Sequence, residues 1–196
     1  MIHPNRGVRA FLLAVMFAAA AAGATAAPAT AQEAEKATYT RDEMFRKASA
    51  FFGQTSQGLA EAIEKVFAEQ GRPNAYIAGE EVSGAIGIGL RYGEGTLHLK
   101  TGQSRKVYWQ GPSIGFDLGA DASKVFVLIY RLPDVKSVFQ RFPAVDGSLY
   151  FIAGVGVNYQ QAGGIVQAPI RTGVGLRAGV NVGYMHYTRE FSWIPL

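Results

Sequence analysis

Ile86-Gly87-Ile88-Gly89-Leu90-Arg91-Tyr92-Gly93 alternates with a period of two. In an extended chain this puts Gly87, Gly89, Arg91 and Gly93 on one face and Ile86, Ile88, Leu90 and Tyr92 on the other. The arrangement returns in Gly173-Val174-Gly175-Leu176-Arg177-Ala178-Gly179-Val180, a weak internal echo in which a row of glycines again carries a single arginine. Glycine weakens a strand by leaving nothing to pack, so a row of it marks a sharp bend, a barrel corner or the close approach of another backbone. The reading that follows is a small curled barrel. Each arginine sits on its tight face, either snorkelling out at a mouth or paired with a buried acid such as Asp117.

Outward from these rows, the whole stretch from Asn74 to Leu196 keeps the two-residue period. Val107-Tyr108-Trp109, Lys124 to Tyr130, Leu149 to Tyr159 and Val174 to Tyr187 are runs of this kind, punctuated by Gly, Pro, Asn and Asp. Turns are expected at Gly93-Glu94-Gly95, Thr101 to Ser104, Gly111-Pro112, Asp121-Ala122, Asp146-Gly147 and Gly163-Gly164. Pro133 to Phe142 reads as a connection with a helical turn around Val138-Phe139. The spacing predicts a mainly β fold: a small eight-stranded antiparallel β-barrel with two short N-terminal helices packed on it.

Those helices lie just upstream of the barrel. Thr40 and Glu43 form a capping box, in which the hydroxyl accepts from the first turn and the carboxylate reaches back to the cap. Met44, Phe45, Ala48, Phe51 and Phe52 then recur at helical spacing until Gly53. A second stripe, Leu59, Ala60, Ile63, Val66 and Phe67, runs from Ser56 to Gly71-Arg72-Pro73. Its polar face carries Glu61, Glu64 and Glu69 with Lys65, an acidic character that suits a solvated face over a membrane-surface helix.

The N-terminus decides the compartment. Arg6 and Arg9 precede the uncharged apolar run Ala10 to Ala22, and Ala29-Thr30-Ala31 is a small-residue cleavage site, so residues 1–31 read as a secretory signal peptide. Residues 32–39 are expected to be a flexible leader and 40–196 one barrel domain. The expected location is periplasmic. No later stretch is long and apolar enough for a spanning helix, and the chain has no Cys, which excludes thiolate zinc sites, cysteine nucleophiles and disulfide scaffolds. Losing Arg6 and Arg9 moves the formal charge of +4 toward neutral. Lys and Arg are scattered among acids without a basic stripe, so nucleic acid is not an expected partner.

No reaction is legible. Gly173 to Ala178 spells a dinucleotide fingerprint but continues as strand pattern with neither the helix nor the acid that fingerprint needs. His98 and His186 stand apart from other ligand-type residues, and no metal or cofactor is expected. Glu80 and Glu81 are adjacent and so point to opposite faces of a strand. Ser113 lies in no nucleophile elbow. The stretch Tyr108-Trp109-Gln110-Gly111-Pro112-Ser113 concentrates aromatic, amide and hydroxyl groups of the kind that line small-molecule and lipid sites.

Five blocks carry a family resemblance: FFGQTSQGLAEAIEKVF from Phe51, GRPNAYIAGEEVSGAIGIGLRYGEGTLHLK from Gly71, KVYWQGPSIGFDLGADASKVF from Lys106, RFPAVDGSLYFIAGVGVNYQQ from Arg141 and PIRTGVGLRAGVNVGYMHYTR from Pro169. Together the chain resembles the alphaproteobacterial envelope integrity protein A family over nearly all of Thr38 to Leu196. The resemblance implies a soluble periplasmic barrel needed for the integrity of the Gram-negative envelope. It implies no enzymatic activity and no catalytic residues.

The expectation is a monomeric, non-enzymatic protein that binds an envelope lipid, a lipopolysaccharide or peptidoglycan precursor, or a periplasmic protein. A small outer-membrane β-barrel and an envelope enzyme are the alternatives. Arg91, Tyr92, Trp109 and Arg177 are the candidate ligand-binding residues, for an anionic amphipathic ligand with its acyl chain on Trp109 and Tyr92 and its head group on the two arginines. The alternative for the same residues is two structural ion pairs and a core tryptophan.

Overall fold

The computed structural model describes residues 37–117, 122–172 and 183–193, without the side chains of 84–88, 113–117 and 122. The proposed signal peptide, Arg177 and the second glycine row lie outside the described residues.

Two helices open the domain. Helix α1, Arg41–Phe52, has the reciprocal cap that its sequence predicts: Glu43 N–H donates to Thr40 Oγ1 at 3.2 Å and Thr40 N–H to Glu43 Oε2 at 2.7 Å. Lys100 also donates to Glu43, at 2.6 Å, so the cap is tied to the sheet. Gly53 ends the helix in the left-handed conformation, at φ 73°, where a side chain would be strained. Helix α2, Gln57–Gln70, is capped by Ser56 and buries Leu59, Ala62, Ile63 and Val66. Tyr39, placed in the leader by sequence, is instead buried and donates its backbone N–H to Pro73.

Nine strands follow among the described residues: β1 Ala75–Leu99, β2 Ser104–Asp117, β3 Ala122–Tyr130, β4 Arg141–Pro143, β5 Tyr150–Ile152, β6 Val155–Val157, β7 Gln160–Ala162, β8 Ile165–Thr172 and β9 Tyr184–Thr188. They form one antiparallel sheet in the order β4-β9-β2-β1-β3-β8-β6-β5, with β7 also on β8. Beyond β4, Ala144 bridges Gln160 of β7, and Val145 N–H donates to Tyr159. The sheet therefore curls until its far end meets strands already paired with β8.

The mainly β, barrel-like fold matches the expectation, and the differences are local. Leu149 to Tyr159 is not one strand, because Ala153 and Gly154 take positive φ (43° and 85°) and fold β5 against β6. Gly93-Glu94-Gly95 and Gly111-Pro112 are not turns; they run inside β1 and β2. Thr101 to Gln103 does turn, with Gly102 at φ 94°, and Val135–Val138 forms the expected helical turn, a 3-10 helix. Gly163 and Gly164 both take positive φ.

Strand β1 is long enough to serve two partners. Ala75 to Val82 pairs with β3 and Ala85 to His98 with β2, so the strand creases between its two halves and brings them face to face. The sheet then separates two apolar clusters. Tyr76, Phe126, Leu128, Tyr130, Val157 and Ile170 face outward under Met44, Ala48, Leu59 and Ile63 of the helices. Ile77, Leu97, Val107, Val127, Phe142 and Tyr187 fill the inside. A fully buried large apolar side chain is worth about 1.5–3 kcal/mol, and both faces of β3 are buried. This accounts for the unbroken run Val125 to Tyr130 in place of a strict alternation.

Candidate functional site

Odd-numbered residues of β1 face inward, and parity therefore sends Gly79, Glu81, Arg91, Gly93 and Gly95 into the barrel. The crease stacks them. Trp109 of β2, directly opposite Gly93 in register, lies flat where side chains at Gly79 and Gly93 would otherwise stand: a Cβ on Gly93 would come within 2.1 Å of the indole, and one on Gly79 within 2.7 Å. Here the glycine row has a direct physical reason, the seating of one large ring.

The indole Nε1 donates to Glu81 Oε2 at 3.2 Å. The same carboxylate receives Arg171 from β8 through Nε at 2.6 Å and Nη2 at 3.3 Å, a two-pronged fork of the strong, charge-assisted kind. Arg91 approaches it as well, with Nε 3.5 Å from Oε1. That guanidinium is 7% exposed, and its Nε makes no hydrogen bond. Arg171 also reaches Asn158 Oδ1 at 3.4 Å. Nearby, Tyr187 donates to Gln167 at 2.8 Å.

Burial alone would push the Glu81 carboxyl up. The adjoining guanidinium groups of Arg171 and Arg91 outweigh it and hold the group down at about 2. Arg91 goes the other way: burial lowers it to about 10, against the attraction of Glu81. Among the described side chains, two buried cations thus share one carboxylate.

The outer face of the same strand carries a different cluster. Val82, Leu90 and Tyr92 share it, and the chain after β9 crosses it with Phe191 and Trp193. Tyr92 donates to the Trp193 carbonyl at 2.8 Å. Ring centroids lie 6.0 Å apart for Tyr92 and Phe191, 5.5 Å for Tyr92 and Trp193, and 4.7 Å for Phe191 and Trp193, the last pair at 88°. A pocket of about 230 Å³ opens beside these rings, lined among others by Glu80, Val82, Tyr92, Glu94 and Phe191.

Of the four candidate residues, the structure brings Arg91 and Trp109 together on Glu81. Tyr92 stands on the opposite face of the strand, and Arg177 is outside the described residues. The acid beside Arg91 is Glu81; the Asp117 side chain is not described. Sequence reasoning did not single out Glu81 or Arg171 as a pair, nor Phe191 and Trp193. Gln167, Pro169 and Arg171 share one face of a strand whose other face is Val166, Ala168 and Ile170, a visible sign that the inside of the barrel is partly polar. His98 stacks on Tyr76 at 4.8 Å. The described residues contain no group of three or more metal-ligating side chains.

Known proteins give two points of comparison. The model of the family described as envelope integrity protein A matches residues 37–196. A crystal structure of a beta-barrel-like, uncharacterised protein from Brucella abortus is 48% identical, with a TM-score of 0.75 over 81% of this chain and 99% of that one. No curated protein matches.

Proposed function

The chain belongs to the envelope integrity protein A family, and on that premise we propose that it is a non-catalytic periplasmic protein that supports the envelope by holding a lipid at the aromatic cluster on the outer face of β1. The observation that carries this reading is a pocket lined by Tyr92 and by the exposed Phe191 (45%) and Val82 (43%), with the exposed Trp193 (73%) packed on Phe191 and Tyr92 and the exposed Leu90 (41%) two residues before Tyr92 on β1. Exposed apolar side chains are ordinary when scattered, but a contiguous set beside a concave site marks an interaction surface. Trp and Tyr suit a surface that is apolar on one side and wet on the other.

The buried Glu81 group supports a structural role for Arg91 and Trp109, since both are enclosed and both are held on Glu81. Against an outer-membrane barrel stands the placement of α1 and α2, which cover the outer face of β3, β6 and β8, where lipid would otherwise have to lie.

Flotation with lipid vesicles tests the reading. The protein should rise with vesicles, and Trp193 fluorescence should shift to the blue. Phe191→Ser with Trp193→Ser should lose binding at unchanged melting temperature. Failure to float with any vesicle overturns the proposal and leaves a glycan precursor or a partner protein as the occupant.

A further inference from the structure

We propose that the pocket beside Tyr92 selects its lipid by a positively charged ammonium head group. The inference rests on the lipid-binding reading above and adds the chemistry of recognition. Among the described residues the charged side chains that line this pocket are acidic, Glu80 and Glu94, and Glu81 borders it while its carboxylate turns into the barrel. Arg91 and Arg171, which neutralise Glu81, stand on the inner side of the sheet and are not part of the wall.

Glu80 and Glu94 belong to the two halves of β1 that the crease brings together, and both line the pocket. Both are exposed. Glu94 also meets Lys106, at 3.2 Å across the strand pair. Glu80 is registered opposite Lys124, but that ammonium donates to the Phe51 carbonyl at 2.9 Å and lies over the Phe51 ring. Among the described residues no ion pair reaches Glu80.

The second component is aromatic. Tyr92, Phe191 and Trp193 contact one another edge to face and tilted, and two of the three adjoin or line the acidic wall. Ring faces attract cations, and a set of rings with nearby carboxylates is the chemistry that recognises organic ammonium groups. Among the described residues no basic side chain lines this wall, so a head group with a net negative charge and no ammonium would meet like charge. Leu90, Val82 and the outer edge of Trp193 then continue as an apolar border on which acyl chains can lie, and this border favours a lipid over a free amine.

The experiment uses the protein purified as its own cells produce it, with vesicles of phosphatidylcholine, phosphatidylethanolamine or phosphatidylglycerol. Flotation and Trp193 fluorescence should give binding about tenfold tighter to the two ammonium-bearing vesicles than to phosphatidylglycerol. Tetramethylammonium should compete. Glu80→Gln with Glu94→Gln, both at exposed positions, should erase most of that preference while the melting temperature and the residual binding to apolar surface stay. Equal or tighter binding to phosphatidylglycerol overturns the inference and leaves lipid binding standing, as does an undiminished preference in the double variant. Absence of binding to all three vesicles overturns the underlying reading itself.

Discussion

Gly79 and Gly95, sixteen positions apart on one strand, touch through their α-carbons across the crease of β1: a Cβ built on Gly79 would lie 2.7 Å from the Gly95 Cα, and one built on Gly95 2.8 Å from the Gly79 Cα. Neither neighbour is the tip of a flexible side chain, so nothing can swing away. Gly95→Ala should destabilise by about 3 kcal/mol, the upper end of the range for overpacking. Urea midpoints would show it, and a variant as stable as the parent would mean that the two halves of β1 separate at little cost.

Removing the carboxylate from the buried cluster should be worse than removing the cluster. Glu81→Gln strands two guanidinium groups and should cost about 3–5 kcal/mol, whereas Glu81→Met with Arg91→Met and Arg171→Met should cost much less or stabilise. Denaturant unfolding of the three proteins, parent included, checks this. If the single variant is the milder one, Glu81 is not what holds the arginines inside.

Acid should unfold the protein partly through the same group. Glu81 is held at about 2 against an ordinary 4.5, so between those values the unfolded chain binds the extra proton and the folded one does not. The stability it contributes is complete above about pH 4.5 and is lost as pH falls toward 2. Glu43, lowered to about 2 first by its hydrogen bond from Lys100, titrates over the same window. The test is therefore a difference: stability should fall less steeply from pH 4.5 to 2 in Glu81→Gln than in the parent, and parallel curves would refute the assignment.

Asn74 joins three segments of the chain. Its side chain donates to Leu132 O at 2.7 Å and accepts from Leu132 N at 3.0 Å, while its backbone accepts from Lys100 and donates to Ile129. Asn74→Ala should cost about 1–3 kcal/mol by leaving both Leu132 groups unpaired. Asn74→Asp keeps the acceptor and should fall between the parent and alanine. Hydrogen exchange at Leu132 reads the loss directly.

What the sequence made legible is what short-range rules govern. The Thr40 and Glu43 cap, the stripe of α2, the two-residue period after Asn74 and the inward parity of Arg91 are each decided within a few residues. The partner of Arg91 was not legible, because Glu81 reaches it through a crease and Arg171 through a register set by β3 and β8. The same limit explains the misplaced turns: Gly93 and Gly95 carry turn chemistry, but here they serve the ring of Trp109 and the backbone of Gly79. For the candidate site, Tyr92 was visible as an aromatic in a strand. Its companions Phe191 and Trp193 come from a distant segment whose approach no local pattern encodes.

The position of β9 gives the fold an order in time. It is the latest described strand in the chain, yet it stands between β2 and β4 and carries Met185 and Tyr187 inward. A chain delivered from its N-terminus can build the helices, β1, β2 and β3 early, while β2 waits with an open edge and Trp109 lacks one of its walls. Strand β9 arrives as the stave that shuts two seams at once. A chain cut short before Tyr184 would thus keep most of its pairing and still present two unpaired borders and an uncovered interior, the features that proteases and aggregation both seize upon.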